Sequence, residues 1–339
     1  RRAGVERAAR RSMAIRRWLG HHLPAAAADE AAAMADAEAS RWAGVSLVAN
    51  VSPPAARQLQ VCGLPLDVPL RLLSEMVSAR AVSNHPAVAA LRPKDDSVLE
   101  AARSLFDRPA PPAPIDPATP PRVLLLLARY QEDVGWLGRV PPGVTFHVVQ
   151  KGGALQPELP QEQQSLLPNV GRESHSYLRF LAERAHDVAA PLPPLLVLVQ
   201  ADPFLHNPRL LEDLARLVEA AATPESLPPF VPLGRWGGAG ARMLVCDTSG
   251  APHQSKLVPL HRTWRALFGE EAPPPLWLSF TPGALFAVPR HAYRARPAAF
   301  YASASEACGL ADEADPMCGH AFERLWWYVF DPSAFGKTV

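Results

Sequence analysis

The chain has 339 residues, 48% of them hydrophobic, enough for one large or two ordinary cores. Its 34 basic and 33 acidic residues leave a net charge of +1, without the basic excess that a phosphate-backbone binder carries, so no nucleic-acid partner is expected. None of the four cysteines, Cys62, Cys246, Cys308 and Cys318, forms a CxxC pair, which argues against a zinc knuckle, and no run of ~18 apolar residues predicts a membrane span.

Residues 1–20 are Arg-rich, with Met13, Ile15, Trp18 and Leu19 scattered among them. That composition suits a solvated helix or tail, or a transit-like or membrane-surface helix. Residues 26–44 are Ala-rich and have helical propensity, and residues 45–49 form a short β-type run. Leu70–Arg80 and Ser97–Phe106 read as amphipathic helices. A proline tract over 109–121 follows, the composition of a stiff extended linker. The predicted organisation is therefore an N-terminal region 1–108, largely helical or partly disordered, a linker 109–121, and an α/β domain over 122–335.

Past the linker, Val123–Ala128 is a continuous apolar run, the signature of a buried parallel strand. Val144–Val149 and Leu195–Val199 read as two more strands, and Leu276–Phe280 and Ala284–Val288 as further candidates. Helical spacing recurs over Glu173–His186, Leu210–Ala221, His291–Ser303 and Cys318–Phe330. Strands alternating with helices predict an α/β fold, a mostly parallel twisted sheet with helices on both faces.

Four segments carry polar residues where chemistry is expected. Arg129 and Glu132 follow the first buried strand, and ligands of open α/β sheets bind outside the carboxyl ends of the strands; an acidic helix start is the plain alternative. In Asn169–Val170–Gly171–Arg172–Glu173 a turn precedes a helix, whose free N–H groups and Arg172 suit an anion, or a structural ion pair. Asp202 ends the third buried strand with His206 four residues on, a pairing for a metal or a hydroxyl, or an ordinary Asp–Pro turn. Gly283 opens an apolar run, and Glu323 lies a turn before Trp326. A carboxylate among indoles can have a raised pKa, which suits a general base; a salt bridge to Arg324 or Arg290 is the structural alternative. The sequence has no GxSxG, Walker loop, strand-linked GxGxxG or HExxH.

In order, ARYQED (128–133), VVQKGG (148–153), LPNVGRESHSYL (167–178), LVQADPF (198–204), FVPLG (230–234), TPGALFAVPR (281–290) and FERLWWYVF (322–330) resemble the domain-of-unknown-function family 3431 (DUF3431), over roughly Val123 to Phe330. That family has no settled activity. A broader resemblance is to GT-A glycosyltransferases, in which a strand-end Asp-x-Asp holds a metal and a nucleotide diphosphate. Asp202 falls at that place, but Asp202–Pro203–Phe204 offers one carboxylate, so a divalent cation (Mn or Mg) at Asp202 competes with a metal-free arrangement using Arg129 and Arg172.

The resemblance implies a glycosyltransferase that moves a sugar from a nucleotide sugar to a glycan or other hydroxyl acceptor. Glu323 would be the base, Asp202 and Arg172 would face the diphosphate, and Arg129, Glu132, Asn169, Gly171, Glu173, His206, Gly283 and Trp326 would line the substrate site. A non-catalytic carbohydrate- or nucleotide-binding module on the same fold is the alternative. A hydrolase built on Asp202, His206 and Glu323 is a third reading. A signal anchor ahead of Arg1 would place the domain in the secretory pathway, in the Golgi; otherwise it is cytoplasmic.

Overall fold

The computed structural model describes residues 13, 15–43, 81–91, 104–106, 115–118, 120–234, 241–244, 249–251, 256–258, 260–269, 277–309 and 317–331. The β-type run at 45–49, the helix expected at Leu70–Arg80 and most of those expected at Ser97–Phe106 and in the proline tract lie outside them. The chain divides into two compact units, one of residues 1–94, 242–278 and 336–339, the other of residues 95–241 and 279–335.

In the first unit, helix α1 (Ala25–Ala43) follows the predicted Ala-rich stretch. Its small face, Ala28, Ala31 and Ala35, packs with Trp18, Leu19, Val82, Val88 and Trp277 in one apolar cluster. Trp277 is far downstream in sequence, yet its indole N–H donates to the Val88 carbonyl at 2.8 Å. A buried indole needs such a partner.

The second unit is built on a six-stranded sheet. Its strands are β1 (Val123–Arg129), β2 (Val144–Gln150), β3 (Gln164–Leu166), β4 (Leu195–Gln200), β5 (Val231–Pro232) and β6 (Phe286–Pro289). They lie in the order β3-β2-β1-β4-β6-β5. β1 pairs in parallel with β2 and β4, and β2 with β3, whereas β6 runs antiparallel to both β4 and β5. The sheet is thus mostly parallel, as its unbroken apolar strands predict. It departs from the common doubly wound order 3-2-1-4-5-6 because β6 inserts between β4 and β5.

Both faces are covered. Helix α2 (Arg172–Arg184) buries Tyr177, Leu178 and Leu181, and the Tyr177 ring meets Phe286 edge-on. Phe286 pairs with Leu198, so α2 covers the Leu198 face. Helix α3 (Leu210–Ala220) contributes Leu210, Leu214, Leu217 and Val218 to a cluster with Val123, Leu125, Leu127, Val197 and Ala287, on the opposite face.

Several expectations shift. The strand predicted at Leu276–Phe280 is Trp277–Phe280, and it pairs with Ala241–Leu244 rather than with the main sheet. The run Ala284–Val288 becomes β6, starting at Phe286. The helix predicted over His291–Ser303 is instead a single turn, Arg290–Tyr293, followed by helix α5 (Ala298–Gly309); Pro297 stands between them, and proline is tolerated only in a helix's first turn. Helix α4 (Leu260–Phe268) was missed although Leu260, Trp264 and Phe268 recur at helical spacing, and the three-residue β3 is too short to read. Helix α6 (Met317–Phe330) matches its expectation.

Candidate functional site

The ends of β1, β2 and β4 leave the sheet side by side because parallel pairing brings Ala128, Val149 and Gln200 into register. Beyond those ends lies a cavity of about 570 Å³, in the second unit. Arg129 ends β1, Tyr130 and Glu132 come from the loop after it, Lys151 follows β2, and Gln200, Asp202, Leu205 and His206 come from the end of β4 and its loop. Asn169, Gly171, Arg172 and Glu173 come from the turn into α2.

Local bonds explain why these loops hold their shape. The carboxylate of Glu132 accepts from the Tyr130 and Gln131 amides at 2.7 and 3.1 Å, closing a tight turn. Arg129 donates to the Glu132 carbonyl at 2.7 Å and to Gln150 Oε1 at 2.9 Å, so its guanidinium is oriented from behind. Buried Trp136 donates to the Ala201 carbonyl at 2.9 Å, tying the β1 loop to the β4 loop. Asn207, fully buried, donates to Asp213 at 2.7 Å and so fastens the β4 loop to α3. Gly152 is required after Lys151, because a Cβ there would run into the Tyr130 carbonyl.

The turn into α2 is the most constrained piece. Gly171 is left-handed at φ 61°, and Arg172 follows at φ 51°, the one non-glycine with positive φ among the described residues. That conformation costs an L-residue roughly 1–2 kcal/mol and persists only where surroundings enforce it. Beneath it, the Lys151 ammonium donates to the carbonyls of Val170 and Arg172. Burial lowers the Lys151 pKa to about 8, the Glu173 carboxylate opposing the shift. Alongside, Gly319 of α6 lies under the Arg172 stem, where a Cβ would come within 2.8 Å of Cδ, and His320 Nε2 sits 3.3 Å from Arg172 Nη1. Cys308, which is disulfide-bonded, backs Gly171, where a Cβ would meet its Sγ at 2.8 Å. His175, one turn into α2, is buried with its Nδ1 unpartnered; burial first, then Lys151 and Arg179, lower its pKa to about 4 and keep it neutral at pH 7.

Eight of the eleven residues singled out from the sequence thus meet at one cavity: Arg129, Glu132, Asn169, Gly171, Arg172, Glu173, Asp202 and His206. Glu323, Gly283 and Trp326 are not among its lining. Glu323 accepts from the Gly283 amide at 2.7 Å and from Arg324 at 2.7 Å, with His320 Nδ1 at 3.6 Å. Burial by itself would raise its pKa, but His320, Arg324 and the Gly283 amide outweigh that and hold it at about 2. The indoles therefore do not make a raised-pKa base of Glu323. Gly283 (φ 92°) packs instead against His206, and Trp326 is buried in a ring cluster with Phe286 and Phe322. Lys151, Tyr130, Gln200 and Leu205 line the cavity and were missed. Lys151 had a signal: it follows β2 as Arg129 ends β1.

The cavity sets three cations, Arg129, Lys151 and Arg172, and a helix N-terminus, features that suit an anion, beside three carboxylates, Glu132, Glu173 and Asp202. A divalent cation is a poorer fit. Asp202 is the only carboxylate at the strand end itself, Glu132 is spent on its own turn, and no three His, Cys, Asp or Glu side chains converge among the described residues. No helix among them is long and apolar enough to cross a membrane. Residues 125–336 match the model of the family described as "Protein of unknown function (DUF3431)". No curated protein and no solved structure matches the chain.

Proposed function

Because the chain belongs to the DUF3431 family, whose description assigns no activity, its function must be inferred from the cavity, and we propose that it is a GT-A-like glycosyltransferase acting on a nucleotide sugar. The observation that carries this reading is the polar cavity of about 570 Å³ at the carboxyl ends of β1, β2 and β4, where ligands of open α/β sheets bind. Arg129, Lys151 and Arg172, with the N–H groups that open α2, would hold the diphosphate and stabilise the charge that grows on it as the glycosyl bond breaks. Basic residues would thereby do the work of a cation. Tyr130, 45% exposed, and Leu205, 68% exposed, are large apolar side chains left open to solvent at this cavity. They would cover the base or sugar ring. Asp202, exposed among the lining residues, would take the acceptor hydroxyl proton.

A second reading, a non-catalytic nucleotide- or carbohydrate-binding module, is favoured by one observation: Glu323, the base expected from the sequence, is committed to Gly283 and Arg324. One experiment separates the two. Thermal unfolding is measured against a panel of nucleotide sugars, with and without manganese, and release of nucleoside diphosphate is then followed for every ligand that binds. The glycosyltransferase reading expects a raised melting temperature, independent of manganese, because a ligand of the native state stabilises it by mass action. It also expects diphosphate release once a hydroxyl acceptor is added. Binding without release selects the module; no shift with any nucleotide sugar rejects both.

A further inference from the structure

We propose that His320 and Glu323 are positioning residues of the cavity, which fix the Arg172 guanidinium as an anion receptor. The proposal rests on the anion-binding reading given above. Glu323 and His320 both stand on α6, three residues apart, and so share a face. The Glu323 carboxylate is anchored first, by the Gly283 amide at 2.7 Å and by Arg324, which is buried and cannot leave. His320 is also buried, with Nδ1 3.6 Å from that carboxylate and Nε2 3.3 Å from Arg172 Nη1.

One tautomer suits both neighbours, the Arg172 hydrogen bond and the 3.6 Å electrostatic contact with Glu323. With the proton on Nδ1, the ring points an N–H at Glu323 and a lone pair at the Arg172 N–H. A carboxylate behind an imidazole sets tautomer and ring orientation in just this way at metal sites, where the imidazole holds a cation instead of a guanidinium. Gly319 completes the device, since the Arg172 stem lies where a Cβ would be. Arg172 is about half exposed at its side chain, so without these contacts it would sample many rotamers. Ordering such a chain on binding costs about 0.5–1.5 kcal/mol, a factor of roughly 2 to 12 in affinity, and here that ordering precedes the ligand. The same carboxylate holds Gly283, which packs against His206 of the cavity.

The test is pyrophosphate binding by calorimetry on the full chain, with a melting temperature on each preparation. Wild type is expected to bind, and Arg172→Ala to lose about 10- to 100-fold. His320→Ala should lose about three- to tenfold, and His320→Gln, which keeps an acceptor near Nε2, should regain most of it. On an Arg172→Ala background His320→Ala should cost nothing further, the mark of residues that act as one unit. Gly319→Ala should displace the arginine and weaken binding, the better helix propensity of Ala offsetting part of what the contact with the Arg172 stem costs in melting temperature. A purely structural α6 predicts otherwise: melting temperature falls in every His320 variant, and affinity is unchanged or the losses simply add. That result overturns the proposal and spares the anion cavity. Absence of pyrophosphate binding in wild type overturns both.

Discussion

Two polar regions lie close together in the second unit and differ in one respect. Around Glu323, charges are turned on one another: the carboxylate meets Gly283 N–H, Arg324 and His320, and Arg324 donates also to the His320 carbonyl at 2.6 Å and lies over the Phe280 ring. At the strand ends, Arg172 and Asp202 are exposed, and three cations, two of which also hold neighbouring groups, gather about a space large enough for a ligand. The same residue types appear in both. Whether hydrogen-bonding capacity is satisfied internally is what distinguishes a strut from a receptor. Substitutions should therefore act first on stability in one region and on affinity in the other, with Lys151, Arg172 and His320 between.

The largest effect is expected at Glu323. Glu323→Ala leaves the buried Arg324 guanidinium without its carboxylate, and breaking a buried pair costs about 3–5 kcal/mol. Denaturant unfolding would reveal it; a loss below about 1 kcal/mol would put Glu323 on the receptor side. A pH signature accompanies it. The folded pKa of about 2 lies below the ordinary carboxylate value of 4.5, so the native state binds fewer protons than the unfolded one between them. The stabilisation is full above about pH 4.5 and disappears as pH falls toward 2, and Glu323→Gln should flatten that limb.

Lys151 comes next, with a slope of the same sign at higher pH. Its folded pKa of about 8 lies below the ordinary 10.5, so the unfolded state binds more protons in that window. Stability should rise with pH from about 8 to 10.5, by an amount approaching about 1.4 kcal/mol per pH unit at most. Pyrophosphate affinity should fall as pH rises through about 8, where the native cation discharges. A Lys151→Met chain that retains both slopes would assign them to other groups.

Arg172→Gly should barely move stability. Glycine relieves a left-handed cost of about 1–2 kcal/mol but adds unfolded-state freedom worth about 0.4–1 kcal/mol, so the melting temperature should stay level or rise slightly. Anion affinity should nonetheless drop by roughly 1.5–3 kcal/mol. A lowered melting temperature with unchanged affinity would move Arg172 among the struts. Asp202→Asn should be the quietest of all in unfolding, within about 0.5 kcal/mol, because the side chain is exposed. If the group takes the acceptor proton, transfer falls about 10²–10⁴-fold with binding intact.

Much of this was written in the chain. The unbroken apolar runs at Val123–Ala128 and Leu195–Val199 determined buried parallel strands, since only a strand covered on both faces tolerates side chains apolar on both. Polar residues at the ends of those runs then determined where a cavity would form, and eight of the eleven residues named from sequence meet there. Spacing also determined α2, α3 and α6. What sequence could not decide was direction and partnership. The run at Phe286–Pro289 reads the same whether parallel or antiparallel, and only packing against β4 and β5 reverses it. Trp277 joins Val88 and α1 across nearly two hundred residues, and no local pattern encodes such a pairing. Glu323 was legible as a carboxylate near indoles; His320 and Arg324, which do most to hold its pKa low, are local on its own helix, and only the Gly283 amide arrives through the fold. Periodicity records which face of an element is buried. Which group waits on the other side of that face is a long-range fact, and for a buried charge that group decides whether the charge reacts or supports.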